Sequence, residues 1–157
     1  GHIKVTPEET PLCSCGKMGC VESLASAKGM LLIYNKKGIR KCESFEELLA
    51  KVDNDKEGVL KVLITGGYWL GVALGNVMNI LNPQRITIGG GVVLATKQCA
   101  EHLGLAENPY LSGIKEGVHY ATHRRVEATG NISFGILGNN AGMIGAANLV
   151  AKSAKII

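Results

Sequence analysis

Apolar positions recur at helical spacing over most of this chain and alternate at strand spacing in only a few short places. Over residues 21–34, Leu24, Ala27, Leu31 and Leu32 fall on or near one face, which predicts a single helix that Gly38 breaks. "SFEELLAKV" sets Ser44 three residues before Glu47, the capping-box spacing, so a second helix starts there. A long helix is predicted from about residue 56 to residue 81. It stops before Asn82-Pro83, because a proline pushes the residue before it out of the helical region.

"RITIGGG" follows, with Ile86 and Ile88 β-branched and Gly89, Gly90 and Gly91 ending a strand in a turn. A helix is predicted over 94–104, then a short helix, strands at 125–128 and 132–134, and a last helix over 140–152. In that last helix Ala141, Gly142, Gly145 and Ala146 predict tight packing, and Asn139 and Asn140 a cap. Helices alternating with strands predict an α/β layer. Residues 1–20 read as a loop, with Pro7, Pro11, Gly16 and Gly19 supplying turn chemistry.

Composition changes this picture in two places. The run from Val62 to Gln84 carries no charge, and Gly67, Gly71 and Gly75 repeat every four residues, a spacing also found in membrane helices. Thr65, Asn76, Asn79 and Asn82 interrupt the run and no second apolar span exists, so a buried helix of a soluble protein is expected, with no membrane partner. Tyr68 and Trp69 on it are expected in the core. The 157 residues suit one domain, and the net charge of +4 comes from scattered Lys and Arg with only the doublets Lys36-Lys37 and Arg124-Arg125. Charge alone therefore gives no nucleic-acid footprint. Five cysteines, with no basic and apolar leader before them, fit a reducing cytoplasm better than a disulfide framework.

Three of those cysteines crowd one loop. His2, Cys13, Cys15 and Cys20 form an H-x10-C-x-C-x4-C pattern, in which turns at Gly16 and Gly19 can bring Cys20 back to the others. Three thiolates and one neutral imidazole suit tetrahedral zinc, and four protein ligands leave no open position for a reacting water, so the site would be structural. Free thiols, a disulfide and a C-x-C redox pair are the other readings. Cys42 and Cys99 read as ordinary thiols, and His102, His119 and His123 as surface or satisfied polar groups.

"CSCGKMGCVE" at 13–22 resembles the C-x-C-G-x-x-G-C-x-E signature of the ROK family of repressors, open reading frames and sugar kinases. "GH" at 1–2 resembles the end of that family's E-x-G-H motif. "LNPQRITIGGGV" at 81–92 resembles its N-P-x-x-I-x-I-G-G-G segment, and "LGNNAGMIGAANL" at 137–149 its final helix. The resemblance covers essentially the whole chain. It implies an actin-like, ribonuclease-H-like α/β architecture of two lobes. Residues 1–157 would form one C-terminal domain, with a zinc and sugar loop at 1–22 and an α/β lobe at 23–157. The family's D-x-G-x-T phosphate loop, its Asn-Asp pair with the catalytic aspartate and the turn before E-x-G-H are not in this sequence. An incomplete second lobe that associates with its own N-terminal half, or as a homo-oligomer, is therefore expected.

By the same resemblance the intact protein is an ATP- and Mg-dependent kinase that transfers a phosphoryl group to a hydroxyl of glucose, N-acetylmannosamine or a related hexose. His2 and Glu22 would bind the sugar, the zinc would be structural, and Gly89, Gly90 and Gly91 would approach the nucleotide; no catalytic residue would lie in this chain. The alternative is a sugar-responsive repressor, which would bind DNA through a separate helical domain.

Overall fold

The structure, a computed structural model, describes residues 1–37, 41–123 and 132–154. After the N-terminal loop come α1 (Glu22–Ala25), α2 (Ala27–Lys37), α3 (Phe45–Ala50) and a single 3-10 turn (Lys51–Asp53). The long helix α4 (Lys56–Leu81) leads to β1 (Ile86–Ile88), α5 (Gly91–His102), α6 (Pro109–Ala121), β2 (Ile132–Phe134) and α7 (Ala141–Ser153). The strands β1 and β2 pair in parallel, Ile86 opposite Ile132 and Ile88 opposite Phe134, with α5 and α6 in the crossover. The α/β expectation holds, although among the described residues the sheet is small and helices dominate.

Local chemistry sets the helix ends. Asp55 caps α4 by accepting the Gly58 amide at 3.0 Å, and Asn82 in the left-handed region at φ 43° stops it ahead of Pro83. Ser44 caps α3 by accepting the Glu47 amide at 3.1 Å, while the Glu47 carboxylate reaches the amide of Glu43, one residue farther out than in a standard box. Asn108 caps α6 by accepting the Tyr110 and Leu111 amides, with Pro109 in the first helical position.

The centre of the molecule is the seam between α4 and α6. A Cβ added at Gly67 would strike the Tyr110 carbonyl oxygen, and one at Gly71 the Ile114 carbonyl oxygen. The relation is reciprocal: a Cβ at Gly113 would strike the Ile64 carbonyl and one at Gly117 the Tyr68 carbonyl. Glycine here removes side-chain bulk from both surfaces, so the two backbones touch, and the four-residue spacing serves helix contact inside a folded core. Met30, Leu48, Val59, Leu63, Met78, Ile114 and Val118 fill the space around the seam with essentially no exposed surface. α4 is the one described helix long and apolar enough to cross a membrane, and half of its most apolar window is buried inside the fold.

Several expectations need correction. Residues 21–34 are two helices, because Ser26 is extended (ψ 161°) and its hydroxyl accepts the Gly29 amide at 3.0 Å, starting α2 afresh. The apolar periodicity runs through this corner unbroken and hides it. The helix after β1 begins at Gly91, three residues early, and the helix expected to be short has 13 residues. Tyr68 and Trp69 are half-buried, stacked edge-on at 5.2 Å, with Tyr68 also 5.9 Å from the Tyr120 ring. The small residues of α7 do not pack: Ala141, Gly142, Gly145 and Ala146 are exposed, and no described part of the chain covers them. Asn140 occupies the cap position of α7 without a capping side-chain bond. The strand expected at 125–128, the doublet Arg124-Arg125 and Gly38 lie outside the described residues.

Candidate metal centre and sugar loop

The loop is held by its backbone before any side chain contributes. Lys4 and Cys20 form an antiparallel bridge, Val5 donates to the Gly19 carbonyl, Val21 to that of Ile3 and Glu22 to that of Gly1, each at 2.9 Å. Within the turn, Gly16 donates to the Cys13 carbonyl and Cys13 to that of Lys17. Gly19, at φ +80°, lies so close to the Thr6 carbonyl that a Cβ would collide with it, and its amide donates to Thr10 Oγ1 at 2.7 Å. The loop sits on the lobe through Val21 and Ala25, which pack on Ala73 of α4. Tyr110 of α6 donates its hydroxyl to the Ala25 carbonyl at 3.0 Å, a buried bond that fixes α1 against the seam.

This scaffold brings together the four residues that the sequence singles out. One donor atom from each of His2, Cys13, Cys15 and Cys20 lies within 4.8 Å of every other. His2 Nδ1 is 3.4 Å from Cys13 Sγ, and Cys15 Sγ is 3.6 Å from Cys20 Sγ. Tetrahedral zinc with ordinary bond lengths needs edges of about 3.6 Å between nitrogen and sulfur and about 3.8 Å between sulfurs. The donor set and spacing therefore fit that ion. All five cysteines are free thiols, and the Cys15–Cys20 separation is far beyond a disulfide bond.

The electrostatics of the sulfurs are uneven. The backbone amide of Cys15 draws the Cys13 thiol down to about 6 against the opposing push of burial, and His2 adds to the lowering. Burial pushes Cys20 up to about 11, reinforced by the Cys15 and Cys13 sulfurs beside it. Crowded thiols resist sharing several negative charges, and a dication among them removes that resistance.

Glu22 stands at the edge of the cluster. Its Oε2 is 3.5 Å from His2 Nδ1, and its Oε1 accepts a hydrogen bond from Ser14 Oγ at 3.1 Å. The sequence pairs His2 with Glu22; Ser14 was not anticipated, since a serine between two cysteines carries no signal of its own. Nor does the sequence mark Thr10, whose partner Gly19 lies nine residues on.

The glycine turn lies elsewhere in the fold. Gly89, Gly90 and Gly91 join β1 to α5, and Gly90, at φ +103°, requires glycine. A Cβ at any of the three would meet open space. Gly89 and Gly90, but not Gly91, border a cavity of about 360 Å³ with Val93, Leu94, Lys97 and Phe134 on its walls. The remaining singled-out residues stay apart from both places. His102 is paired with Asp53 at 2.9 Å, His119 is exposed, the His123 amide donates to Asn79 Oδ1, and Cys42 and Cys99 are buried.

Comparison with known proteins bears on the family and the fold. The profile of the ROK family matches residues 1–153. A glucokinase of Halalkalibacterium halodurans is 36% identical over 169 aligned positions, covering 97% of this chain and 47% of that protein. The xylose repressor of Bacillus spizizenii is 32% identical over 93 positions, covering 59% of this chain and 23% of the repressor. The crystal structure of a ROK hexokinase from Thermus thermophilus superposes with a TM-score of 0.74 at 23% identity, over 98% of this chain and 48% of that one. The chain thus shares the fold of the matching part of that hexokinase and spans about half the length of the glucokinase that it matches.

Proposed function

The chain belongs to the ROK family, and on that premise we propose that it is the C-terminal part of an ATP-dependent hexose kinase, with residues 1–22 as its sugar-reading loop. The observation that carries this reading is the convergence of His2, Cys13, Cys15 and Cys20 with Glu22 beside them. His2, Cys13, Cys15 and Cys20 would hold one structural zinc, which supplies a fixed cross-link and no reacting water. His2 and Glu22 would bind sugar hydroxyls, a carboxylate accepting two at once. The backbone at Gly89, Gly90 and Gly91 would let the nucleotide approach closely. The catalytic base, the first phosphate loop and the magnesium ligands would lie in the other half of the protein. That half would pair with this one as the remainder of a two-lobed, cytoplasmic, oligomeric enzyme. Phosphoryl transfer then rests on positioning and charge stabilisation, and this chain contributes the positioning of the acceptor.

The match to a xylose repressor supports a second reading, a sugar-responsive regulator that keeps the loop, binds DNA elsewhere and transfers no phosphate.

The full-length protein tests both. Elemental analysis should find close to one zinc per chain. Because a hydrogen bond to a charged group contributes roughly 1.5–3 kcal/mol, Glu22→Ala should weaken glucose binding by at least about tenfold in calorimetry. A metal-free protein with paired cysteines, or unchanged affinity, refutes the sugar-loop assignment. Turnover of ATP with glucose selects the kinase; sugar binding without turnover selects the regulator.

A further inference from the structure

We propose that Ser14 is a positioning residue for the sugar-binding carboxylate, its hydroxyl fixing the rotation of Glu22 so that the two carboxylate oxygens face a pair of sugar hydroxyls. This rests on Glu22 being the sugar-binding carboxylate. The terminal torsion of a glutamate is broad and roughly two-fold, so an unpartnered carboxylate rotates and must be ordered when a ligand arrives. Here one oxygen has a hydrogen-bond donor, Ser14 Oγ at 3.1 Å from Oε1, while His2 Nδ1, 3.5 Å from Oε2, is the nitrogen that faces Cys13 Sγ and would have no proton for the carboxylate when it holds a metal, so the serine alone sets the rotation. The direction of the serine bond is unambiguous, since an ionised carboxylate only accepts. Each oxygen keeps acceptor capacity for a sugar O–H, and the Glu22 side chain is 40% exposed, which leaves one flank open.

Ser14 is placed well for this task. It sits between Cys13 and Cys15, so whatever fixes those two sulfurs fixes its backbone. It is exposed, and although its hydroxyl also lies 3.9 Å from the buried Cys13 Sγ, that sulfur keeps His2 Nδ1 as a nearer neighbour at 3.4 Å.

The test uses the full-length protein, calorimetry with D-glucose, N-acetyl-D-glucosamine or D-xylose, whichever the unmodified protein binds, and zinc content measured on every sample. Ser14→Ala should weaken sugar binding about three- to tenfold with zinc content and melting temperature unchanged. Ser14→Thr, which keeps the hydroxyl, should stay within about twofold. Ser14→Ala added to Glu22→Gln should weaken binding less than it does in the unmodified protein, because the two groups act through one contact. If Glu22→Gln binds as tightly as the unmodified protein, or if none of the three sugars binds, the sugar-loop reading falls and this inference with it. If Glu22→Gln weakens binding while Ser14→Ala leaves it unchanged or tightens it, only the role of Ser14 is overturned. Failure of Ser14→Thr to restore affinity, or loss of zinc in Ser14→Ala, also overturns it, since loop integrity would then explain the weakening.

Discussion

The α4–α6 seam and helix α7 are written in the same alphabet of glycine, alanine and large aliphatics, yet they end in opposite environments. In the seam, Gly67 and Gly71 of α4 lie against the backbone of α6, and Gly113 and Gly117 of α6 lie against the backbone of α4. In α7, Gly142 and Gly145 have nothing within 4 Å of a would-be Cβ, and Met143, Leu149 and Val150 are 68%, 69% and 68% exposed. Small-residue spacing marks a helix that can be approached closely. Contact requires a second helix with gaps in register, and among the described residues α7 has none. Each interior glycine costs a helix roughly 0.5–1 kcal/mol relative to alanine, and only in the seam does close packing offset that cost.

Three pairs of measurements test this contrast. Ile114, wholly buried in the seam, should lose about 2–5 kcal/mol on truncation to alanine, whereas Leu149→Ala should stay within about 0.5 kcal/mol. Denaturant melts of the two variants decide it. A cost at Leu149 matching that at Ile114 would mean that α7 is covered by something other than the described residues. Next, Gly117→Ala should destabilise by about 1–3 kcal/mol, because the new methyl meets the Tyr68 carbonyl. Gly145→Ala should shift stability the other way, by up to about 1 kcal/mol, since it gains helix propensity in open space. Equal signs in thermal melts would dissolve the distinction. Smallest is Tyr110→Phe, expected to cost about 0.5–1.5 kcal/mol by orphaning the Ala25 carbonyl. If hydrogen exchange in α1 does not quicken in that variant, the seam is not what steadies the N-terminal loop.

The same contrast explains what the sequence made legible. The C-terminal end of α4 was readable because Asn82 and Pro83 act locally, and the start of α3 because Ser44 and Glu47 do. The four candidate ligands were readable because metal geometry restricts residue type and spacing together. The break at Ser26 was not, since a single extended residue carries no glycine or proline to mark it and the apolar pattern continues on both sides. Nor was the exposure of α7, which depends on what stands opposite it. Asn108-Pro109 was an available signal for the start of α6, a capping residue followed by a proline suited to the first turn. Ser14 could not be found from sequence, because its partner is eight residues away across a turn whose shape only the structure gives.

The antiparallel clasp between residues 1–5 and 19–22 carries a thermodynamic consequence of its own. Closing a loop costs chain entropy that grows slowly with its length. In small zinc modules the ion itself drives that closure, so that chelation and unfolding are one event. Here the backbone bonds from Val5 to Gly19, Val21 to Ile3 and Glu22 to Gly1 close the loop with contacts of their own. Chelation of an ion held by His2, Cys13, Cys15 and Cys20 should therefore loosen the turn over residues 13–20 while the register of the clasp stays in place, so that metal loss and unfolding of the lobe are separate events.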